Sequence, residues 1–210
     1  MKKSLAAERQ AWIPLVPTPY GPNALCLELA NTKSLSGDGD ELPDYQAFLN
    51  WSLNLGALDP AVAPNLKKLG LKKPALAKKS LQRAKSLREA CFAVFSAIAS
   101  GKTAPKAALT ALNQELASCA RKLQIESKNG NMQLNWGFAQ TQLDSPIWPI
   151  ALSAAELLTS PLLSRVRECA SPTCGWLFLD VSKNSSRRWC DMLSCGNREK
   201  ARRFQERHKH

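Results

Sequence analysis

Cys169-Ala170-Ser171-Pro172-Thr173-Cys174 and, fifteen residues on, Cys190-Asp191-Met192-Leu193-Ser194-Cys195 decide how this chain is read. Two short cysteine pairs separated by about 15–20 residues form the pattern of a tetrahedral structural zinc site. Each pair brings two thiolates to one cation at about 2.3 Å, and the segment between the pairs closes the loop. Cys169, Cys174, Cys190 and Cys195 are therefore the expected ligands of one structural Zn²⁺. The competing reading is a cluster of structural thiols without metal. Pro172 and Gly175 flank Cys174, as expected where backbone turns tightly around an ion. Residues 176–179, Trp-Leu-Phe-Leu, read as a short strand, and 183–186 as a turn. Residues from Cys195 to about Arg207 read as a charged helix. Four thiolates around Zn²⁺ leave a net charge of −2, which Arg187, Arg188 and Arg198 stand ready to offset.

Cys26, Cys91 and Cys119 lie outside this cluster, in apolar stretches, and read as small buried hydrophobes. Seven cysteines is an odd number and no export signal is visible, so a disulfide framework is a poor reading. Residues 1–12 hold two lysines but no apolar run. The longest strongly apolar run, 91–99, is far short of the ~20 residues of a spanning helix. A cytoplasmic, non-membrane protein is the expectation.

The chain has 210 residues and a formal net charge of +12. Residues 1–50 carry four basic and six acidic side chains, 51–164 fourteen and six, and 165–210 eleven and five. That last stretch also holds both histidines, His208 and His210. A cationic excess concentrated in the finger and in Lys67–Arg88 suggests a polyanionic partner.

Upstream of the finger the pattern is helical with a little strand. Residues 24–30 read as a short strand and 36–40 as a solvated loop lacking a calcium ligand series. Residues 43–56 read as a helix with the stripe Tyr45, Phe48, Leu49 and Leu53. The proline-rich stretch 57–74 reads as helical turns at most. The longest helix is expected over 75–100, with Leu81, Ala84, Leu87, Cys91, Val94, Phe95 and Ile98 on its apolar face. Thr103 is the expected cap of a helix over 104–120, and Ser145 the cap of one ending near Thr159. Asn129-Gly130 between 123–127 and 132–138 marks a β-hairpin. The expected fold class is α+β, mainly α with a small β component. An α-rich domain over 1–163 precedes a small treble-clef-like zinc finger over 164–210 with a basic carboxy-terminal helix.

The finger, with Cys169-x4-Cys174-Gly175, Leu177-Phe178-Leu179-Asp180, Arg188-Trp189-Cys190-x-Met192 and Cys195-Gly196-Asn197-Arg198, resembles the CGNR zinc-finger family. Leu25-Cys26-Leu27-Glu28-Leu29-Ala30-Asn31-Thr32, Phe48-Leu49-x-Trp51 and the helix over 153–160 resemble that family's α-rich ABATE domain. Glu28 stands where the family usually has Asp. The resemblance spans nearly the whole chain. It implies bacterial proteins regarded as stress-induced transcription regulators, a zinc-binding finger and a DNA-binding role.

On the expected terminal helix, Arg198 and Arg202 share a face at i, i+4, with Lys200, Arg203 and Arg207 to the side. Ala201 and Phe204 are expected to supply a packing contact, and Trp176 and Trp189 to fill the small core. Arginine matches phosphate in bidentate fashion and also reads guanine. Arg187, Arg188, Arg198, Lys200, Arg202, Arg203 and Arg207 are thus the expected nucleic-acid contacts. DNA is the first partner considered and RNA, favoured by the charge of 67–88, the second. A third reading is a protein-interaction module with a purely structural finger. A homodimer and a small-molecule effector of the amino-terminal domain stay open. No acid/base constellation, phosphate loop or nucleophile elbow points to an enzyme.

Overall fold

A computed structural model describes residues 24–33, 39–128, 130–137 and 139–208, without the side chains of 128 and 133. The expected loop positions 36–38, Asn129 of the hairpin turn, Phe138 and His210 lie outside them. Seven α-helices are described: α1 (Leu25–Ala30), α2 (Tyr45–Asn54), α3 (Ala63–Lys72), α4 (Pro74–Ala99), α5 (Lys106–Ala120), α6 (Ile147–Thr159) and α7 (Asn197–Arg207). Two antiparallel hairpins complete the α+β fold: β1 (Leu123–Lys128) with β2 (Asn131–Trp136), and β3 (Val166–Glu168) with β4 (Leu177–Leu179).

Helix α4 is the spine. Its stripe Leu81, Ala84, Leu87, Cys91, Val94 and Phe95 is buried, and Ile98 is half-buried near its end. Each large side chain withdrawn from water contributes about 1.5–3 kcal/mol before entropy is counted. α1 packs against α4, α6 and β4. Leu25, Cys26, Leu27, Leu29 and Ala30 are all buried there. Residues 24–30 are therefore a helix and not the expected strand. A six-residue helix buried at every position but Glu28 shows too little polar face to mark a helical period, so its apolar run resembles a buried strand.

α3 corrects a second expectation, that 57–74 hold turns only. Pro64 sits in the first turn of α3, where its missing N–H costs nothing, and Pro74 opens α4 in the same way. Neither Thr103 nor Ser145 caps a helix. α5 starts after Pro105 and α6 after Pro146, both without a side-chain cap. The Ser145 hydroxyl is buried with no hydrogen-bond partner among the described residues. α2 does have its cap, Asp44, whose carboxylate accepts from the Ala47 N–H at 2.8 Å.

The hairpin forms in the register set by the Asn-Gly turn, with Lys128 opposite Asn131 and Leu123 opposite Trp136. Gly130 has φ +79°, the left-handed conformation such a turn requires. Much of the positive charge on α4 is spent internally. The Arg83 guanidinium donates to Glu115 on α5 at 2.7 Å and to Asp144 at 2.6 Å. Arg88, 4% exposed, and Lys85 both hold Asp40, at 2.6 and 2.8 Å. Asp40 is thus an engaged carboxylate and not part of a solvated loop. Burial works against its charge, but Arg88 and Lys85 keep its carboxyl well below the usual carboxylate range.

The finger joins the body's core. Val166, Leu177 and Leu179 belong to the same buried cluster as α1, α4 and α6. The side chain of Asn31, at the end of α1, donates to the Leu177 carbonyl and accepts from the Leu177 N–H, both at 2.8 Å. Ser96 on α4 donates to the Glu168 carboxylate at 2.6 Å.

Candidate metal centre and basic helix

The first cysteine pair lies on the knuckle between β3 and β4. The Cys169 N–H donates to the Trp176 carbonyl at 2.8 Å, extending the hairpin past its named strands. The Cys174 N–H donates to Ser171 O at 3.1 Å, and Gly175 follows with φ +67°. A β-carbon at that φ is strained, which is why glycine follows the second ligand. The second pair lies at the entry to α7. A π-helical turn, Met192–Gly196, is capped by Asp191, whose carboxylate accepts from the Ser194 N–H at 2.7 Å. Knuckle, hairpin and ligand-bearing helix start form a treble-clef-like unit.

These turns bring the four Sγ atoms within 4.8 Å of one another. Cys174 and Cys190 sulfurs are 3.6 Å apart, and Cys190 and Cys195 sulfurs 3.7 Å apart. A tetrahedron with Zn–S bonds near 2.3 Å has S···S edges of about 3.8 Å. The all-thiolate donor set and these separations fit one zinc ion, held by Cys169, Cys174, Cys190 and Cys195. A zinc ion bound here would supply structure, tying the knuckle to the start of α7.

The thiols respond to their crowding. Burial acts to raise Cys169, yet hydrogen bonds from the backbone of Cys190 and Ser171 and from neighbouring thiols bring it below its ordinary value. Cys174 is pushed up to about 11 by burial, with the Cys195 and Cys169 sulfurs adding to it and hydrogen bonds from the Trp176 backbone and Cys190 opposing it. Cys190 is raised by burial and by the other three sulfurs. Four negative sulfurs at this spacing need a cation between them. Outside the finger, burial pushes Cys26 up to about 12, Cys119 to about 11, and Cys91 well above its ordinary value. All three are buried, as the sequence predicts.

Asp180, which the sequence marks only as the end of the Leu177-Phe178-Leu179-Asp180 segment, is fully buried and holds the loop between β4 and the second pair. One carboxylate oxygen accepts from the Ser182 N–H at 3.0 Å and the other from the Arg187 N–H at 2.9 Å. Burial opposes its charge, but these donors and the Ser182 hydroxyl bring its carboxyl below the usual range. Buried Arg165 spans the same loop, donating to the Asp180 and Ser182 carbonyls at 2.8 and 3.1 Å.

The seven cations expected to meet nucleic acid divide into two groups. Arg187 turns inward, donating to the Trp189 and Cys190 carbonyls with its guanidinium 4.8 Å from the Phe178 ring centroid. Arg202 is engaged by Glu199 at 3.0 Å and by Glu206. Arg198 reaches back to the Thr173 hydroxyl at 3.2 Å and ties α7 to the knuckle. Arg188 is exposed and lies against Trp189, 5.4 Å from the ring. Lys200, Arg203 and Arg207 are exposed and, at i, i+3 and i+7, form one stripe along α7. Among the described residues none of these three has a carboxylate partner.

α7 is seated by its first turn alone: Glu199 is buried, and every residue from Lys200 to His208 is exposed. Ala201 and Phe204, expected to supply a packing contact, are both exposed. Phe204 is 57% exposed and its ring lies against His208, one turn on. Trp176 is also exposed and not in the core, whereas half-buried Trp189 packs against Phe178 and the cysteines as expected.

A zinc finger of four cysteines set on a helical body is the class this geometry defines. The family models agree: residues 165–208 match "CGNR zinc finger", and residues 23–161 match ABATE, described as "Putative stress-induced transcription regulator". The chain belongs to the ABATE family, with a carboxy-terminal CGNR zinc finger. No curated protein matches it. No described helix is long and apolar enough to cross a membrane.

Proposed function

We propose that this protein is a zinc-dependent transcription regulator that binds duplex DNA through α7, with the metal holding that helix in place. The observation that carries the reading is the projecting helix itself. Beyond its first turn α7 is exposed along its length, and it bears Lys200, Arg203 and Arg207 on one face with no acidic partner among the described residues. Charged side chains on a rigid helix suit phosphate contact and groove insertion. Arg188, exposed on the same finger, is a further cation for the backbone. Arg202, with its donors taken by two glutamates, drops from the contacts the sequence favoured; Arg187 and Arg198 act within the finger. The stress-response role rests on the family description.

The RNA reading loses part of its support. It drew on the charge of 67–88, and Arg83, Lys85 and Arg88 in that stretch are held by carboxylates. Action by binding and not by catalysis accords with thiols that burial pushes toward their unreactive protonated form. Fluorescence anisotropy with a labelled random-sequence duplex tests the proposal. Zinc-replete protein is expected to bind the duplex, and structured RNA to compete more weakly than unlabelled duplex. Absence of binding, or stronger competition by RNA, overturns it.

A further inference from the structure

Helices α2, α3 and α4 enclose an open cleft of about 530 Å³ that the DNA-binding reading leaves unused. Its size lies within the range of small-molecule sites. The base is apolar: Ala77 and Leu81 of α4 form one wall and the Tyr45 ring of α2 another, with Leu71 of α3 at the lip. Tyr45 is fixed in place, because its hydroxyl donates to the Leu143 carbonyl at 2.8 Å. Leu71 is 78% exposed, an apolar side chain left in water beside charged ones.

The charge on the lining is one-sided. Lys67, Lys78 and Lys85 face a single carboxylate, Asp44, which is turned onto the start of α2 as its cap. Lys85 is already held by Asp40 at 2.8 Å. That leaves Lys67 of α3 and Lys78 of α4 with no carboxylate partner among the described residues. An ammonium group is a compact point charge on an apolar stem. Two of them above an apolar base favour a ligand with an anionic head and a hydrocarbon body.

We propose that this cleft binds a small apolar carboxylate. The hydrocarbon lies on Ala77, Leu81 and Tyr45, and the carboxylate meets Lys67 and Lys78. A neutral molecule of the same shape lacks the charge-assisted contact. Inorganic phosphate lacks the apolar contact.

Isothermal titration of the full zinc-bound chain with octanoate tests the site, with 1-octanol and inorganic phosphate as comparisons. Saturable octanoate binding is expected, with Kd below about 1 mM. Both comparison compounds are expected to bind at least about tenfold more weakly. Lys67→Gln combined with Lys78→Gln should weaken octanoate at least about tenfold while leaving the melting temperature unchanged, because both side chains are exposed. Lys102→Gln, exposed just past the carboxy-terminal end of α4, should leave binding as it was. Lack of saturable octanoate binding overturns the proposal. Equal binding of octanol or phosphate, or unchanged affinity in the folded double variant, does so as well.

Discussion

Asn31→Ala is the substitution that most sharply separates a docked finger from one merely tethered to the body. The Asn31 side chain makes two hydrogen bonds to Leu177, one given and one received, each at 2.8 Å. Leu177 is fully buried, so truncation leaves its N–H and its C=O without partners and without water. An unsatisfied buried polar group costs about 1–3 kcal/mol, and the pair therefore about 2–5 kcal/mol. For a chain of this size that lowers the melting temperature by about 5–15 °C. Asn31→Asp is the informative companion. It keeps the acceptor and the shape but sets a carboxylate oxygen against the Leu177 carbonyl, so it should cost at least as much at neutral pH. Urea unfolding of zinc-bound protein, followed by circular dichroism and by tryptophan fluorescence, reads both variants. A loss below about 0.5 kcal/mol for Asn31→Ala would refute the reasoning, since surface substitutions alone reach that value.

Three further outcomes are expected. Metal analysis should find about one zinc per chain, Cys190→Ser should lose it, and Cys26→Ser, buried far from the cluster in sequence, should keep it. Lowering the pH should release the zinc, because protons compete for thiolates, and chelator-trapped zinc measured against pH checks this. Asp40→Asn should destabilise the fold by about 1–3 kcal/mol at pH 7. Asp40 is held below its unfolded value by Arg88 and Lys85, so its contribution is present above about pH 4 and lost as the pH falls further. The gap between wild type and Asp40→Asn in denaturant midpoint should therefore close in acid.

What the sequence made legible were the features written in short range. The spine helix announces itself by a 3.6-residue stripe over seven apolar positions, and the β1–β2 hairpin by Asn129-Gly130. The metal centre is marked by two cysteine pairs together with the Pro172, Gly175 and strand–turn–helix signals around them. Features that depend on partners distant in sequence stayed hidden. Asn31 and Leu177 are 146 residues apart, and nothing local to either shows that they meet. α1 was hidden because near-complete burial erases helical periodicity, and α3 because Pro64 looks like a breaker until its place in the first turn is known. The cations of α7 were countable but not separable. Only the structure shows Arg202 bound to Glu199 and Glu206 while Lys200, Arg203 and Arg207 face outward. Of the 29 basic side chains, Arg83, Lys85, Arg88 and Arg202 are paired within the fold, and the net of +12 already counts the carboxylates that hold them.

The salt dependence of duplex binding tests the central claim most directly. Each phosphate contact contributes about −0.9 to the slope of log K against log salt. Zinc-bound wild type should show a steep negative slope, and the variant combining Lys200→Ala, Arg203→Ala and Arg207→Ala should lose about 2–3 units of it. A slope unchanged by the triple substitution, or wild-type binding indifferent to salt, would contradict the account.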